Sequence, residues 1–290
     1  MLKNGITIRV ATFMAIAILL TLSAQPARAA LKSIDAPNAT ETDCNAINTA
    51  NVIVGFFNDS AGTHGFALIH GHFKIVDVPG STGTLLYGIN NKNEVVGWYA
   101  DSLGVIHGLA MDAQQHMKTL DPPGSMMTNA WGINDAGEIV GAWEDASQAL
   151  HGFTFVNGKY TTFDAPGGSV LTEFTGINNT GAMVGIFDDS LGVEHGFGLK
   201  NGHFTQIDDP DALGTVTATD RINDTDEYVG LWGTNLNGPF SGYHAKNNHF
   251  TTITFPGAFE TRTRGINNAG IVVGRYSDFN GVIHGYAGLP

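Results

Sequence analysis

The chain has 290 residues with a formal net charge of −13, and 38 of its residues are glycine. This acidic balance argues against nucleic acid or an anionic membrane as a partner, because both require a basic patch. Cys44 is the only cysteine, which excludes an internal disulfide, so a packed core must hold the fold together.

The first predicted element is a signal peptide at residues 1–29. Lys3 and Arg9 precede the apolar run VATFMAIAILLTLSA, and Ala27–Ala29 reads ARA, a small-x-small cleavage pattern. The run is shorter than the roughly 20 residues of a membrane-spanning helix, and the alternative is an uncleaved anchor. The sequence therefore predicts an exported protein, periplasmic or extracellular, that is not inserted in a membrane after cleavage.

Residues 30–290 contain six copies of one unit, which repeats about every 44 residues. Each copy has an Ile-Asn pair, followed by Val-Gly and then, two positions further on, by an aromatic residue. The Ile-Asn pairs begin at Ile47, Ile89, Ile133, Ile177, Ile222 and Ile266. A repeat of this length is typical of β-propellers and solenoids, so one repetitive domain is expected.

Each copy is predicted to form four short strands, which in the fourth copy are TEFTGIN, AMVGIFD, EHGFGLK and HFTQID. The bend between the first two strands requires a residue that tolerates positive φ. One position in that bend fits this requirement in every copy: Asn51, Asn93, Gly137, Gly181, Asp226 and Gly270. Antiparallel four-stranded units in series predict an all-β chain, namely a six-bladed β-propeller.

The two ends of the repeat region complement each other. The last copy stops after its third strand, whereas residues 31–37, LKSIDAP, match the fourth strand of other copies, such as FKIVDVP. One blade would then be closed by strands from both termini, which removes an open sheet edge. The alternative is an open β-solenoid, which requires caps rather than a split repeat. A monomer is expected.

The motif set GINNxGxxVG…DxxGxxHGF resembles the HAF-type extracellular repeat, a family of exported bacterial repeat proteins. The resemblance extends over all six copies, and copy five departs from it, with Arg221 in place of the glycine and Ser241 in place of the histidine. The resemblance implies an exported repeat protein with a β-propeller-like fold. It supplies no established active site.

An Asp/His pair recurs in five copies: Asp59/His64, Asp101/His107, Asp145/His151, Asp189/His195 and Asp278/His284. Pairs distributed around a ring cannot converge on one catalytic centre, and a metal site would need further ligands that the motif lacks. We therefore interpret the pairs as fastenings of the loop between the second and third strands. No cofactor or metal is predicted. Calcium at the acidic turn NDTDE, with Asp224, Asp226 and Glu227, is the alternative to a simple hairpin turn.

The first strand of each copy combines constant and variable positions. Thr42 and Cys44 begin two series of threonines and small or apolar residues, so Cys44 is interpreted as a packed side chain and not a nucleophile. The alternating positions differ between copies and, by the period of two, point to the opposite face, into a central channel. The ligand-binding candidates among them are Asp43, Tyr87, Asn129, Trp131, Glu173, Asp220, Arg262 and Arg264.

These candidates have the composition of a pocket for a polar ligand. Tyr87 and Trp131 could stack on a sugar ring, the carboxylates could accept hydrogen bonds from hydroxyls, and the two arginines could clamp a carboxylate. The alternative is that they are solvated channel residues, with the arginines neutralising nearby acids.

Three functions fit the sequence. The first is a non-catalytic binding module for a polar small molecule, a glycan or a protein of the cell envelope. The second is a glycan hydrolase or lyase with Glu173 and Asp220 as an acid/base pair, although the sequence contains no Gly-x-Ser-x-Gly elbow. The third is a purely structural extracellular protein.

Overall fold

The computed structural model describes residues 30–167, 170–235 and 237–290, so the signal peptide predicted at residues 1–29 lies outside the described residues. In these ranges the chain forms 24 β-strands and one 3-10 turn, Pro210–Ala212. The described part contains no helix long and apolar enough to span a bilayer. The prediction of an all-β chain is confirmed.

The strands are short and evenly spaced along the chain. The first twelve are β1 Lys32–Ile34, β2 Glu41–Ile47, β3 Ile53–Asp59, β4 Gly62–Ile69, β5 His72–Val76, β6 Gly83–Ile89, β7 Val95–Ala100, β8 Ile106–Met111, β9 Met117–Leu120, β10 Met127–Ile133, β11 Ile139–Glu144 and β12 Leu150–Val156. The remaining twelve are β13 Lys159–Phe163, β14 Thr172–Ile177, β15 Met183–Asp188, β16 Glu194–Lys200, β17 His203–Ile207, β18 Val216–Ile222, β19 Tyr228–Gly233, β20 Ser241–Lys246, β21 His249–Ile253, β22 Glu260–Ile266, β23 Val272–Ser277 and β24 Ile283–Gly288.

Neighbouring strands are mostly consecutive in the chain and antiparallel, as in the series β2, β3, β4 and β5. Three sheets result, of 12, 4 and 8 strands, and none of them closes on itself. A single parallel residue pair links two such series, for example Glu194 with Val216. The amino-terminal strand β1 pairs antiparallel with the carboxyl-terminal strand β24, where Lys32 lies opposite Ala287.

Six strands that hold equivalent positions in the repeat are called the first strands: β2, β6, β10, β14, β18 and β22. Each contains a β-bulge, where the pairing with the next strand skips one residue. The skipped residues are Asn45, Tyr87, Trp131, Thr175, Asp220 and Arg264. A bulge redirects the side chain of the extra residue, so it changes the simple alternation expected from the sequence.

The glycine of each Val-Gly pair lies opposite the first strand at very close range. A Cβ atom added to Gly141 would lie 2.0 Å from the carbonyl oxygen of Asn129, and one added to Gly230 would lie 1.9 Å from that of Ala218. Real Cβ atoms do not approach so closely. This contact explains why the sequence repeats glycine, and no other residue, at this position in all six copies.

The repeated threonine of the first strand fastens the loop that leads into it. The hydroxyl of Thr84 accepts a hydrogen bond from the Val78 backbone N–H at 2.9 Å, and Thr217 accepts one from Asp209 at 3.0 Å. Cys44 is fully buried and its thiol is free, and burial raises its pKa well above the usual value. The interpretation of Cys44 as a packed side chain is confirmed.

The asparagines of the Ile-Asn pairs form a closed ring of hydrogen bonds at the carboxyl-terminal ends of the first strands. The side-chain N–H₂ of each one donates to the backbone carbonyl of the next at 2.9–3.3 Å, and Asn267 donates to Asn48. The members of this asparagine ring are Asn48, Asn90, Asn134, Asn178, Asn223 and Asn267. The ring brings all six first strands around one axis.

Each ring asparagine also shapes its own hairpin. The Oδ1 atom of Asn178 accepts hydrogen bonds from the backbone N–H groups of Thr180 and Ala182, at 3.0 and 2.9 Å. The bend residues that were expected to have positive φ have it in all six copies, for example 57° at Asp226 and 79° at Gly181. That prediction is confirmed.

Candidate functional site

A central cavity of about 320 Å³ lies at the amino-terminal ends of the first strands, at the end opposite the asparagine ring. All six bulged residues line it, so the bulges point these side chains into the cavity. The complete lining is Asn45, Tyr87, Trp131, Glu173, Thr175, Ile186, Glu194, Val216, Ala218, Asp220, Arg221, Leu231, Phe240, Arg262 and Arg264. Its size falls in the range of small-molecule sites.

Most of the ligand-binding candidates of the sequence analysis meet in this cavity, and two do not. The lining includes Tyr87, Trp131, Glu173, Asp220, Arg262 and Arg264. Asp43 and Asn129 are 2% and 9% exposed and lie outside the lining. Asp43 lies two residues before the bulged Asn45, and Asn129 lies two residues before the bulged Trp131. The Oδ2 atom of Asp43 lies 3.6 Å from the Nε atom of Arg275 on β23, so Asp43 belongs to a buried ion pair of the protein.

The two arginines expected to clamp a ligand carboxylate already bind carboxylates of the protein. Arg264 donates from Nη1 to Oδ1 of Asp220 at 3.1 Å, and Arg262 donates from Nε to Glu260 at 2.8 Å. The guanidinium of Arg262 also lies 4.5 Å from the centre of the Phe240 ring. These contacts correspond to the alternative in which the arginines neutralise acids.

The Asp220–Arg264 pair is buried, and the balance between burial and the partner's charge differs for the two groups. Burial raises the pKa of Asp220, and the charges of Arg264 and Arg221 oppose that rise. Burial lowers the pKa of Arg264, but Asp220 and Asp43 outweigh it and raise that pKa. Removing one partner of a buried ion pair strongly destabilises the folded protein, because the other charge is left buried and unpaired. The Asp220–Arg264 pair therefore belongs to the structural support of the cavity.

Arg221 forms the floor of the cavity. Its guanidinium donates hydrogen bonds to the backbone carbonyls of Thr175, Asp220, Tyr87 and Trp131, which belong to four different first strands; the Asp220 and Trp131 contacts are 2.7 and 2.9 Å. Burial lowers the pKa of Arg221 to about 10, although Asp220 opposes this. Beyond Arg221, towards the asparagine ring, the six isoleucines of the Ile-Asn pairs surround the axis. The cavity is therefore blind.

Two glutamates on the cavity wall favour their neutral form. Burial and the charge of Glu194 raise the pKa of Glu173 to about 7, against the opposing effect of the Trp131 indole N–H. Burial, Asp188 and Asp220 raise the pKa of Glu194 to about 7, against Arg264 and Arg262. A carboxyl group with a pKa near 7 can hold or release a proton at neutral pH.

An aromatic pair lies on the same wall. The rings of Tyr87 and Trp131 meet edge to face, with 4.4 Å between their centroids and an angle of 89°. Burial and the charge of Asp43 raise the pKa of Tyr87, so its hydroxyl stays protonated. The two rings form an apolar patch beside the carboxyl groups, as in sites that bind ligands with one apolar and one polar face.

The recurring Asp/His pairs lie away from the cavity and extend to a second aspartate. The Nδ1 atom of each histidine lies 2.6–2.8 Å from an aspartate that follows the fourth strand, for example Asp121 for His107. The first aspartate, Asp101 in this copy, accepts the backbone N–H groups of Leu103 and Val105. These contacts fasten the loops of the five copies that have the pair, as in the structural interpretation.

The acidic turn of copy five is occupied by contacts within the protein. Asp226 lies 2.6 Å from the Lys200 ammonium, Glu227 lies 2.6 Å from that of Lys246, and Asp224 accepts side-chain hydrogen bonds from Asn179 and Asn268. In the described ranges, no group of three or more His, Cys, Asp or Glu side chains has the arrangement of a metal site.

The geometry defines a class of protein: an all-β chain whose repeated strands surround one central cavity. Solved structures similar to it are β-propeller proteins. No protein-family model matches the chain, and no curated protein matches it. The likeness to solved structures shows the fold alone, because the sequence identities are low.

Three of these structures, a lyase, a lectin and a domain of a protease, serve as examples. Virginiamycin B lyase from Staphylococcus aureus has a TM-score of 0.52 at 11% identity, covering 90% of this chain and 100% of the other. A variant of the Aleuria aurantia lectin in complex with Fucα1-6GlcNAc has a TM-score of 0.54 at 9% identity, covering 84% of this chain and 91% of the other. The β-propeller domain of the trilobed protease from Pyrococcus furiosus has a TM-score of 0.53 at 8% identity, covering 88% of this chain and 94% of the other.

Sequence reasoning missed two residues of the site. Arg221 was noted only as a departure from the repeat, and Glu194 was not singled out. The signal for both was available from a comparison of the copies. Arg221 replaces a small residue, and Glu194 is the charged member of a series whose other members are Thr63, Ile106, Leu150, Phe240 and Ile283.

Proposed function

We propose that the chain is a six-bladed β-propeller with four antiparallel strands per blade, in which β1 completes the blade of β22, β23 and β24. The pairing of β1 with β24 supports this arrangement, and so does the asparagine ring, which passes through six first strands and returns to its start. Asp35, next to β1, adds a contact of 2.8 Å with His284 of β24.

We propose that the central cavity binds carbohydrate and that the protein is a non-catalytic binding module. The observation that carries this proposal is the set of bulged side chains, which places the Tyr87–Trp131 pair beside carboxylates and amides in one blind cavity. Sugars present a weakly polar ring face and several hydroxyls, which match such a wall. Lectins solved with fucosides are among the structural neighbours.

The test is binding of residues 30–290 to a glycan array, followed by titration calorimetry on any sugar that binds. Trp131→Leu should weaken binding at least about tenfold, because it removes the aromatic wall. Trp143→Leu is the matched control: Trp143 lies on the neighbouring strand β11, packs on His151 and does not line the cavity. Equal binding by both variants, or no binding by the unmodified protein, would contradict the proposal and favour a purely structural role.

A glycan hydrolase or lyase is the second candidate, favoured by the two carboxyls with pKa values near 7. Sequence analysis paired Glu173 with Asp220. Asp220 is bound to Arg264, so Glu194 is the better partner for Glu173 in acid/base chemistry. Incubation of a bound glycan with the protein, read by mass spectrometry, tests this candidate. A product that disappears with Glu173→Gln would support the enzyme, and an unchanged glycan would exclude it.

We also propose that the protein is exported, with residues 1–29 as its signal peptide, and that it belongs with the HAF-type extracellular repeat proteins it resembles. The first part is tested by fractionating cells that express the full chain and by sequencing the amino terminus of the product. Retention of residues 1–29 on the mature protein would contradict it.

A further inference from the structure

Some charged side chains on the cavity wall have a partner of opposite charge, and others do not. Three acids and three arginines line it. Arg264 is paired with Asp220, and Arg262 with Glu260, which lies just outside the lining. The donors of Arg221 are directed at backbone carbonyls of the floor. Glu173 and Glu194 are therefore the acids of the wall that have no ion-pair partner among the described residues.

Residues that line the cavity hold buried polar atoms without a hydrogen-bond partner in the described part of the chain. The Oδ2 atom of Asp220 and the Oδ1 atom of Asn45 are acceptors, and the Nε1 atom of Trp131 and the Nε atom of Arg264 are donors. Asp220 and Asn45 are 8% and 1% exposed. Buried polar atoms normally find a partner, so these atoms indicate that a ligand with both donors and acceptors completes the site.

We propose that the ligand of the central cavity carries an ammonium group, as an amino sugar does, and that this group lies against Glu173 and Glu194. The proposal rests on the carbohydrate-binding function proposed above. An ammonium group has three donors for the carboxylate oxygens of the two glutamates, and the hydroxyls of a sugar can accept from Trp131 and Arg264. The ammonium would pair with acids that have no ion-pair partner, and the aromatic faces of Tyr87 and Trp131 also favour a cation nearby.

The groups that face the two glutamates support this assignment. The charges of Glu194 on β16, Asp220 on β18 and Asp188 on β15 raise the pKa of Glu173, and the Trp131 indole N–H on β10 lowers it. The charges of Asp188 and Asp220 also raise the pKa of Glu194, and Arg262 and Arg264 on β22 oppose them. The pKa of both glutamates is about 7, so a bound cation would stabilise ionised forms that the empty cavity disfavours.

The test uses three monosaccharides with the same ring and different charges: glucosamine, glucose and glucuronic acid. Titration calorimetry at pH 7 should give a Kd for glucosamine at least about tenfold lower than that for glucose, with glucuronic acid the weakest. Equal affinity for glucosamine and glucose, or tightest binding of glucuronic acid, would overturn the ammonium assignment while leaving a sugar site in place.

Ethanolamine serves as a probe that has the ammonium group and no sugar ring. Binding of ethanolamine without binding of any of the three sugars would refute the carbohydrate function and support the ammonium site. If neither ethanolamine nor glucosamine binds, the inference fails.

Substitutions of the two glutamates test whether they cause the preference for glucosamine. Glu194→Gln keeps the shape of the side chain and removes its charge, and it should reduce the preference for glucosamine over glucose about tenfold; Glu173→Gln is a second, independent variant. Glu144→Gln is the control, because Glu144 ends β11 outside the cavity lining, and it should leave the preference unchanged. A preference that persists in both cavity variants would overturn the inference.

Discussion

Single residues, more than the repeated motif, give the cavity its chemistry. Arg221 takes a position at which four copies have glycine and the first has alanine, and its guanidinium contacts carbonyls of four first strands. A planar guanidinium with five donors can satisfy carbonyls that approach from several directions. The floor of the cavity thus depends on one side chain.

Arg221→Ala should lower the free energy of unfolding by roughly 3 kcal/mol, because several buried carbonyls lose a charged donor. Arg221→Lys should recover less than half of this loss, since one ammonium cannot reach four carbonyls with the geometry of a fork. Urea denaturation followed by tryptophan fluorescence measures both. Wild-type stability in Arg221→Ala would show that water replaces the guanidinium without cost.

The glutamates of the cavity should make stability depend on pH. The pKa of Glu194 in the folded protein is about 7 and lies near 4.3 in an unfolded chain. Between these values the unfolded chain releases protons that the folded chain keeps, so stability falls as the pH rises through this window. Glu194→Gln removes this penalty, and its gain in Tm over the unmodified protein should be about 2 °C or more larger at pH 8 than at pH 5.

Glu227 should give the opposite dependence of stability on pH. Burial raises its pKa, but hydrogen bonds from Lys246 and Asn223 outweigh this and lower it. The stability that Glu227 contributes is present above the unfolded pKa of about 4.3 and is lost at lower pH, so Glu227→Gln should lose more stability at pH 6 than at pH 3. Thermal denaturation at the stated pH values tests both variants, and a Glu194→Gln gain that is equal at pH 5 and pH 8 would contradict the folded-state pKa of about 7.

At the scale of the element, the first hairpin of each copy is defined by a bulge on one strand and a glycine on the other. The bulge directs one side chain towards the axis, and the glycine allows the strands to approach at that place. The pair recurs in all six copies, so the geometry is constant while the bulged side chain differs. This separation lets the cavity vary without disturbing the strands around it.

Gly141→Ala should cost at least about 3 kcal/mol, because the added Cβ would overlap the Asn129 carbonyl oxygen and the ring of Phe153. Gly137→Ala in the bend of the same hairpin is the control. Gly137 has a φ of 79° and nothing within 4 Å of an added Cβ, so alanine should cost only about 1 kcal/mol. Urea denaturation of both variants measures the difference, and equal costs would contradict the close approach.

At the scale of the whole molecule, the asparagine ring joins the copies in one closed circuit. Each member bridges from its own hairpin to the next copy, and the last returns to the first. The ring lies on the side away from the cavity, so it holds the first strands together without contributing to the site.

Asn178→Ala should lower the free energy of unfolding by roughly 2–4 kcal/mol, because Asn178 is buried and both its amide oxygen and nitrogen are hydrogen-bonded. Asn179→Ala, at the next residue, should cost about 1 kcal/mol or less, since its hydrogen bonds are solvent-exposed. Chemical denaturation of both proteins checks this. A smaller loss for Asn178 than for Asn179 would contradict the role of the ring.

Features that leave a local sequence signal could be predicted from the sequence, and features that depend on contacts between distant segments could not. The strands, the positive-φ bends and the packed Cys44 follow from periodicity, turn chemistry and burial. The bulges were hidden because they break the period of two. Asp43 and Asn129 are buried, whereas Glu173 and Arg262, at the same position in their strands, line the cavity. Arg221 and Glu194 gain their roles from neighbours that lie far away in the chain.

The sixfold repeat is broken at Arg221, and this break has a consequence for how the protein could act on a surface. A chain with a binding site in every copy would be multivalent and would crosslink the particles that it recognises. The carbohydrate site proposed above occurs once per chain, so each chain would be monovalent. Such a protein would coat or mask a glycan-bearing surface, and mixed with cells or beads it would leave them dispersed.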